Sequence, residues 1–213
     1  MIVPAHDEQD LLPGCLAALS RAAARVAPVP VEVVVVADAC TDRTAAIAAA
    51  AAAEVVVVRA RNVGSARAAG VAHALRSGPG GLWLATTDAD SRPGPDWLRR
   101  QLRHARAGAG LVTGTVRVED WTHWPAGLPV RYESAYRAAP EHVHGANLGF
   151  SAGAYLAAGG FPAVTHDEDQ VFVRRAAAAG VPIVHDPGGP VRTSARPTGR
   201  APHGFAAYLA TLA

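Results

Sequence analysis

The chain contains no lysine, so all 20 of its basic residues are arginine. Such a bias reads as a GC-rich bacterial coding sequence and carries no mechanistic content. Charge of one sign is also lacking: 20 basic residues face 18 acidic ones, for a formal net charge of +2. No run of five or more basic residues occurs, which argues against a nucleic-acid partner. The only two cysteines, Cys15 and Cys40, are far apart and match no metal spacing, as expected of a reduced cytosolic interior. Long apolar runs are absent too. The tract from Ala45 to Val58 is interrupted by Glu54 and reads as a helix followed by a strand, not as a transmembrane span. Met1-Ile2-Val3-Pro4-Ala5 runs straight into acidic residues, which predicts no secretory leader. A cytoplasmic location follows, with peripheral association at the inner face of the membrane left open. Finally, neither a Walker loop nor a G-x-G-x-x-G follows the first apolar run, which argues against kinases, P-loop enzymes and dinucleotide oxidoreductases.

What is present suffices for one substantial core: 213 residues, half of them hydrophobic. Short β-branched runs alternate with alanine-rich helical stretches. Ile2-Val3 opens a strand, and residues 10–26 carry helical apolar spacing through Leu11, Leu12, Cys15, Leu16 and Leu19. The run 31–36 is near-continuous valine, as in a strand buried on both faces of a parallel sheet. A helix over 41–53, capped by Thr41 or Asp42, is followed by a strand over 54–58, a helix over 63–76, a strand over 82–87 and a helix over 96–107. This rhythm predicts a single α/β domain with a mostly parallel, doubly wound sheet flanked by helices. A strand spans 111–118. The stretch 121–144 is aromatic, basic and interrupted by Pro125 and Pro129, resembling an irregular lid. Short helices over 152–158 and 169–179 precede a last strand over 181–184, and the tail from Pro187 reads as mobile. No repeat and no second domain is evident.

Four acidic stations stand out: Asp7-Glu8, Asp38 with Asp42, Asp88-Ala89-Asp90, and Asp167-Glu168-Asp169. The first three follow predicted strands, and the carboxyl ends of parallel strands lie along one edge, where ligands bind. Each has a plain alternative as a helix cap or turn residue. Asp88 and Asp90, separated by one small residue, have the oxygen chemistry to share a divalent cation with substrate phosphates.

Pro4-Ala5-His6-Asp7-Glu8, Asp38-Ala39-Cys40-Thr41-Asp42-Arg43-Thr44, Arg61-Asn62-Val63-Gly64-Ser65-Ala66-Arg67 and Asp88-Ala89-Asp90 resemble the serial motifs of family 2 glycosyltransferases. His144-Gly145-Ala146-Asn147, Gly159-Gly160-Phe161-Pro162 and Asp167-Glu168-Asp169 fit the acceptor-side half of that family. The resemblance implies a GT-A type fold, a nucleotide-sugar donor and inversion of the anomeric centre. It divides the chain into a nucleotide-sugar-binding half (1–110), an acceptor-binding half (111–186) and a flexible tail (187–213). Pro4, Ala5 and Glu8 would line the ribose, Asp38 would bond the base, and Gly64 and Arg67 would close over the nucleoside. Asp88, with Ala89 beside it, would lie against the ribose or sugar. Asp90, helped by Asp88, would ligate Mn²⁺ or Mg²⁺ at the diphosphate. Asp7 stands where the family more often has Asn. The tail lacks the Gln-x-x-Arg-Trp signature of processive synthases.

By the same resemblance Asp169 is the base that takes the proton of the acceptor hydroxyl, with Glu168 orienting the acceptor. A helix start favours their ionised forms. His144, His185 and His203 are candidates for a third metal ligand. Arg192, Arg196 and Arg200 are suited to fold over the diphosphate. Trp121, Trp124 and Tyr132 read either as an acceptor platform or as packing under a loop. UDP is the first expectation for the carrier and GDP the second; a lipid carrier, a small metabolite or a cell-envelope glycan would serve as acceptor. A nucleotidyltransferase of related fold and a non-catalytic nucleotide-sugar-binding module are the alternatives. The oligomeric state is left open.

Overall fold

The structure, a computed structural model, describes residues 1–118, 120–138, 142–199 and 204–213, the Ser77 side chain excepted. Arg200 and His203 therefore lie outside the described residues. The first half alternates as expected: β1 (Ile2–Ala5), α1 (Leu12–Ala24), β2 (Val34–Asp38), α2 (Thr44–Ala50), β3 (Glu54–Val58), α3 (Val63–Ala74) and β4 (Trp83–Thr86). Then come β5 (Ser91–Arg92), α4 (Trp97–Arg106), β6 (Leu111–Val118), α5 (Leu128–Ala138), β7 (Leu148–Ser151), α6 (Ala152–Ala157), α7 (Glu168–Ala178), β8 (Ile183–Thr193) and α8 (Phe205–Leu212).

One eight-stranded sheet runs in the order β3-β2-β1-β4-β7-β6-β8-β5. Strands β3, β2, β1 and β4 are mutually parallel, while β7 runs antiparallel to both β4 and β6. Side-chain alternation along the strands splits the core in two. Ile2, Val34, Val36 and Leu84 pack on one face with Ala66 and Val71 of α3 and Phe172 of α7. Val3, Val35 and Ala85 face the other way, onto Leu12, Cys15 and Leu19 of α1 and Trp97 of α4. The valine run is continuous because its strand is covered on both sides. At Gly70 a Cβ would meet Ile2 Cγ2 at 2.5 Å, so α3 lies close on the sheet only because that residue has no side chain.

Three sequence expectations need correction. The second strand begins at Val34 and ends at Asp38, three residues later than the start of the valine run, because Val34 N–H pairs with the Met1 carbonyl (2.8 Å). The 121–144 stretch is not irregular throughout: α5 occupies its middle, since Pro129 sits in the first turn, where a missing N–H does no harm. Leu128 and Tyr132, four residues apart, bury the same face with Val118, Ala195 and Leu209. Residues 187–193, read as the start of a flexible tail, instead continue β8 against β6, and 205–212 form α8. Among the described residues no helix is long and apolar enough to cross a membrane.

Candidate active site

The sheet order reverses between β1 and β4, and a crevice opens there at the carboxyl ends of the strands. Asp88-Ala89-Asp90 follows β4 at this point. Ser91 N–H closes the turn on the Asp88 carbonyl (3.0 Å), and the buried Cys15 thiol donates to the same carbonyl (3.4 Å). Ala89 is buried in the core, so the two carboxylates flank a fixed pivot. Burial, then the neighbouring Asp88 charge, pushes the Asp90 carboxyl up to about 7. An acidic site loaded this way gains from a cation.

Arg67 of α3 supplies part of that charge. The residue is 2 % exposed; its Nη2 donates to Asp88 Oδ1 (2.5 Å) and Nη1 to Glu168 Oε1. One arginine thus ties the Asp88-Ala89-Asp90 turn to the start of α7, which lies 101 residues beyond Arg67 in sequence. Gly64, one turn earlier, has no positive φ; a Cβ there would collide with the Pro162 carbonyl oxygen, so this glycine lets the α3 start approach the 162–168 loop. Asn62 caps α3 by accepting from Ser65 N–H (2.8 Å), and its amide donates to the Val164 carbonyl (2.6 Å), adding a second tie to that loop.

Asp169 sits beside Glu168. Its Oδ2 accepts from Gly145 N–H (2.6 Å) and its Oδ1 from Gln170 N–H (2.8 Å). Burial and the Glu168 charge raise it to about 6, so it is ionised at neutral pH yet still basic. The Gly145 carbonyl accepts from Thr86 Oγ1 at the end of β4 (2.7 Å), and a Cβ at Gly145 would collide with the Arg67 guanidinium. His144, next in the chain, shares a hydrogen bond with Tyr136 Oη (2.9 Å). Burial, then His142, lowers His144 to about 4, leaving it a neutral imidazole.

On the β1 side, Glu8 is buried and forks with Arg196: Nη1 donates to Oε2 (2.7 Å) and Nη2 to Oε1. Arg196 Nη2 also stands 3.3 Å from Asp90 Oδ2. Pro4 and Ala5 are buried strand residues in register with Val36 and Ala37. Asp38, buried at the end of β2, accepts from Ala60 N–H (2.7 Å), Arg61 N–H (2.9 Å) and Asn62 N–H (2.9 Å), pinning the β3–α3 loop. Asp7 adopts positive φ (51°), a backbone region that suits Asp and Asn alike, and accepts from Thr41 N–H (2.6 Å). Ligand atoms of Asp7, Cys40 and Asp42 lie within 4.8 Å of one another. Both carboxylates of that group already accept backbone N–H groups, from Thr41 and from Gln9 and Thr44, so the group ties two loops together.

The structure therefore brings Glu8, Arg67, Asp88, Asp90, Glu168 and Asp169 into one charged network. Of the other candidates, His185 is engaged by Thr113 Oγ1 (2.7 Å) across the β6–β8 pairing. Arg192 lies in β8 opposite Arg92. Trp121 and Trp124 pack with Tyr132 in the small core under α5 and α8. Thr86 and Gly145 were missed by sequence reasoning; the glycine inside His144-Gly145-Ala146-Asn147 was the available signal.

Three solved structures share this architecture. TarS from S. aureus, in complex with UDP-GlcNAc, superposes with a TM-score of 0.70 at 15% identity, over 96% of this chain and 60% of that one. The mannosyltransferase PcManGT from Pyrobaculum calidifontis, in complex with GDP-Man and Mn²⁺, gives 0.68 at 23% identity, over 93% and 57%. Glucosyl-3-phosphoglycerate synthase from Mycobacterium tuberculosis, in complex with Mn²⁺, UDP and phosphoglyceric acid, gives 0.63 at 19%, over 92% of this chain and 70% of that one. The chain thus spans 60% or less of the first two structures. No curated protein sequence matches it. The family model for glycosyl transferase family 2 matches residues 1–157, most of the chain. With the fold and the converging acidic strand ends in agreement, this protein belongs to glycosyl transferase family 2.

Proposed function

We propose that the chain is a cation-dependent, inverting glycosyltransferase domain that moves a sugar from a nucleoside-diphosphate donor, UDP- or GDP-linked, to an acceptor hydroxyl. One observation carries this reading. Arg67 bridges Asp88 to Glu168, which puts the carboxylates suited to a diphosphate-bound cation next to the carboxylate suited to deprotonate an acceptor. The donor-side half is residues 1–110 and the acceptor-side half 111–186; the 187–213 segment, ordered through β8, contributes Arg196.

The residues present fit a hard divalent ion. Asp88 and Asp90 offer only oxygen, and the Asp90 carboxyl is raised by burial first and by the Asp88 charge second. When bound, Mn²⁺ or Mg²⁺ stabilises charge on the departing phosphate as a Lewis acid. The remaining work falls to the protein. Asp38 Oδ2 accepts a single backbone N–H and keeps acceptor capacity for a base N–H. Glu168, held by Arg67, orients the acceptor. Asp169 takes the hydroxyl proton as the acceptor oxygen bonds the anomeric carbon and the bond to the diphosphate breaks on the opposite face. Gly145 N–H holds Asp169 in place throughout.

The test is a donor-hydrolysis and transfer assay on Asp90→Ala and Asp169→Asn, beside thermal shifts with UDP and GDP in Mn²⁺. Both variants should lose turnover, and only the Asp169 variant should keep its nucleotide-induced shift, about 2.7 kcal/mol at a hundredfold excess over Kd. Unchanged turnover in either variant rejects the assignment of that residue.

A further inference from the structure

We propose that Arg196 is the stand-in for the cation in the unloaded enzyme: it holds the Asp90 carboxylate, yields it when the metal arrives, and moves to the donor diphosphate. The inference rests on the reading just given, and it adds an exchange at the cation site that the reading does not require.

The guanidinium does not reach Asp90 by accident of a loose segment. Ala195, its neighbour, is buried with Val118, Leu128 and Leu209, and the Ala195 carbonyl accepts from Trp124 Nε1 (2.5 Å). Arg196 N–H donates to Ser194 Oγ (3.2 Å). The receiving end is equally fixed: Glu8 N–H donates to Thr44 Oγ1 (2.8 Å), and the Glu8 carbonyl accepts from Leu12 N–H (2.9 Å). The fork on Glu8 leaves Nη2 on Asp90 Oδ2, at 3.3 Å. Asp90 is half-buried, its side chain 18 % exposed, so this pairing is poorly screened.

A divalent ion ligated by Asp90 would stand within a few ångströms of that guanidinium. Two positive charges cannot share one carboxylate at that range without a large repulsive term, so cation and arginine compete for it. Release from Asp90 leaves Nη2, still forked on Glu8, with donor capacity on the Asp90 side, and a planar guanidinium is matched to the phosphate oxygens that a cation held there would bring. The same side chain therefore weakens the bare ion and strengthens the ion together with its nucleotide, which makes cation uptake depend on the donor.

The experiment measures Mn²⁺ binding by electron paramagnetic resonance without nucleotide, then UDP and GDP binding by calorimetry at saturating Mn²⁺. Wild type is compared with Arg196→Ala and the closer-sized Arg196→Gln, whose folding is checked by thermal melting. Both variants should bind Mn²⁺ alone about tenfold tighter and the nucleotide about tenfold weaker, an ordinary size for coupling between two ligands. A purely structural arginine would weaken both. Unchanged or weaker Mn²⁺ binding in the folded variants overturns the exchange. If Mn²⁺ tightens as expected but no protein binds either nucleotide, the donor reading fails while competition at Asp90 stands. If none binds Mn²⁺, both fail.

Discussion

Carboxylates at neighbouring strand ends of this molecule have opposite fates. Behind β1 and β2, Asp7 and Asp38 accept two or more backbone N–H groups each, and Thr41 N–H leads in drawing the Asp7 carboxyl below its ordinary value. Behind β4 and at the start of α7, Asp90 and Asp169 are raised to about 7 and about 6, with burial outweighing the few groups that satisfy them. The first set ties loops together. The second is held up by burial in spite of its partners, Arg196 at Asp90 and two backbone N–H groups at Asp169, the condition expected of groups arranged for binding and proton transfer rather than for stability. The residue type is the same; what separates Asp7 from Asp90 and Asp169 is whether hydrogen bonds or burial leads in setting the carboxyl.

The comparison breaks most visibly at its arginine. Arg67→Ala leaves Glu168 buried without a partner, and the melting curve should show a loss of about 3–5 kcal/mol. Asp169→Asn should lower turnover by about 10²- to 10⁴-fold in a transfer assay, with the fold intact by circular dichroism. On the structural side, Asp38→Ala orphans three N–H groups, and denaturant titration should register about 3 kcal/mol of destabilisation. A wild-type melting curve in place of that loss would undo the distinction drawn here.

The pH dependence sharpens it further. If Asp169, raised to about 6, is the base as proposed, kcat/KM at saturating Mn²⁺ should fall about tenfold per unit below pH 6 and stay flat above it. The smallest expected effect has the opposite sign to the Asp38 result. Because the folded Asp90 carboxyl sits above its ordinary 3.8, its ionised form burdens the fold increasingly as pH rises from about 4 through 7. Asp90→Asn should therefore stabilise by about 1 kcal/mol at pH 8, a rise of about 2–4 °C in Tm, and by nothing near pH 4. Removal of the charge without a gain in Tm would mean that Arg196 already answers it.

Much of this was legible in the chain. The β-α rhythm of the first half reads directly because β1 and β2 are buried along their whole length, β4 nearly so, and α1 shows an apolar stripe. The acidic stations read as an edge because parallel strands must end together. β7 was not read as a strand, since Leu148-Gly149-Phe150-Ser151 is short and its glycine lets the Gln101 amide of α4 approach, leaving no alternation to see. The helix α5 was masked by prolines that fall at or before its first turn. Arg196 could be named as a phosphate contact, but not its pairing with Glu8, because 188 residues of chain separate them. Likewise the three N–H groups on Asp38 come from a loop that no local pattern attaches to that carboxylate.

Gly145 has a consequence for anyone who would exchange acceptor specificities between members of this family. Its carbonyl is gripped by Thr86 from the first half and its N–H by Asp169 from the second, above a guanidinium that forbids any side chain. A chimera joined anywhere between residues 87 and 144 separates these contacts by parentage. Thr86, Arg67, Gly145 and Asp169 must then travel as one cassette, or the grafted half will dock with the Asp169 carboxylate out of place.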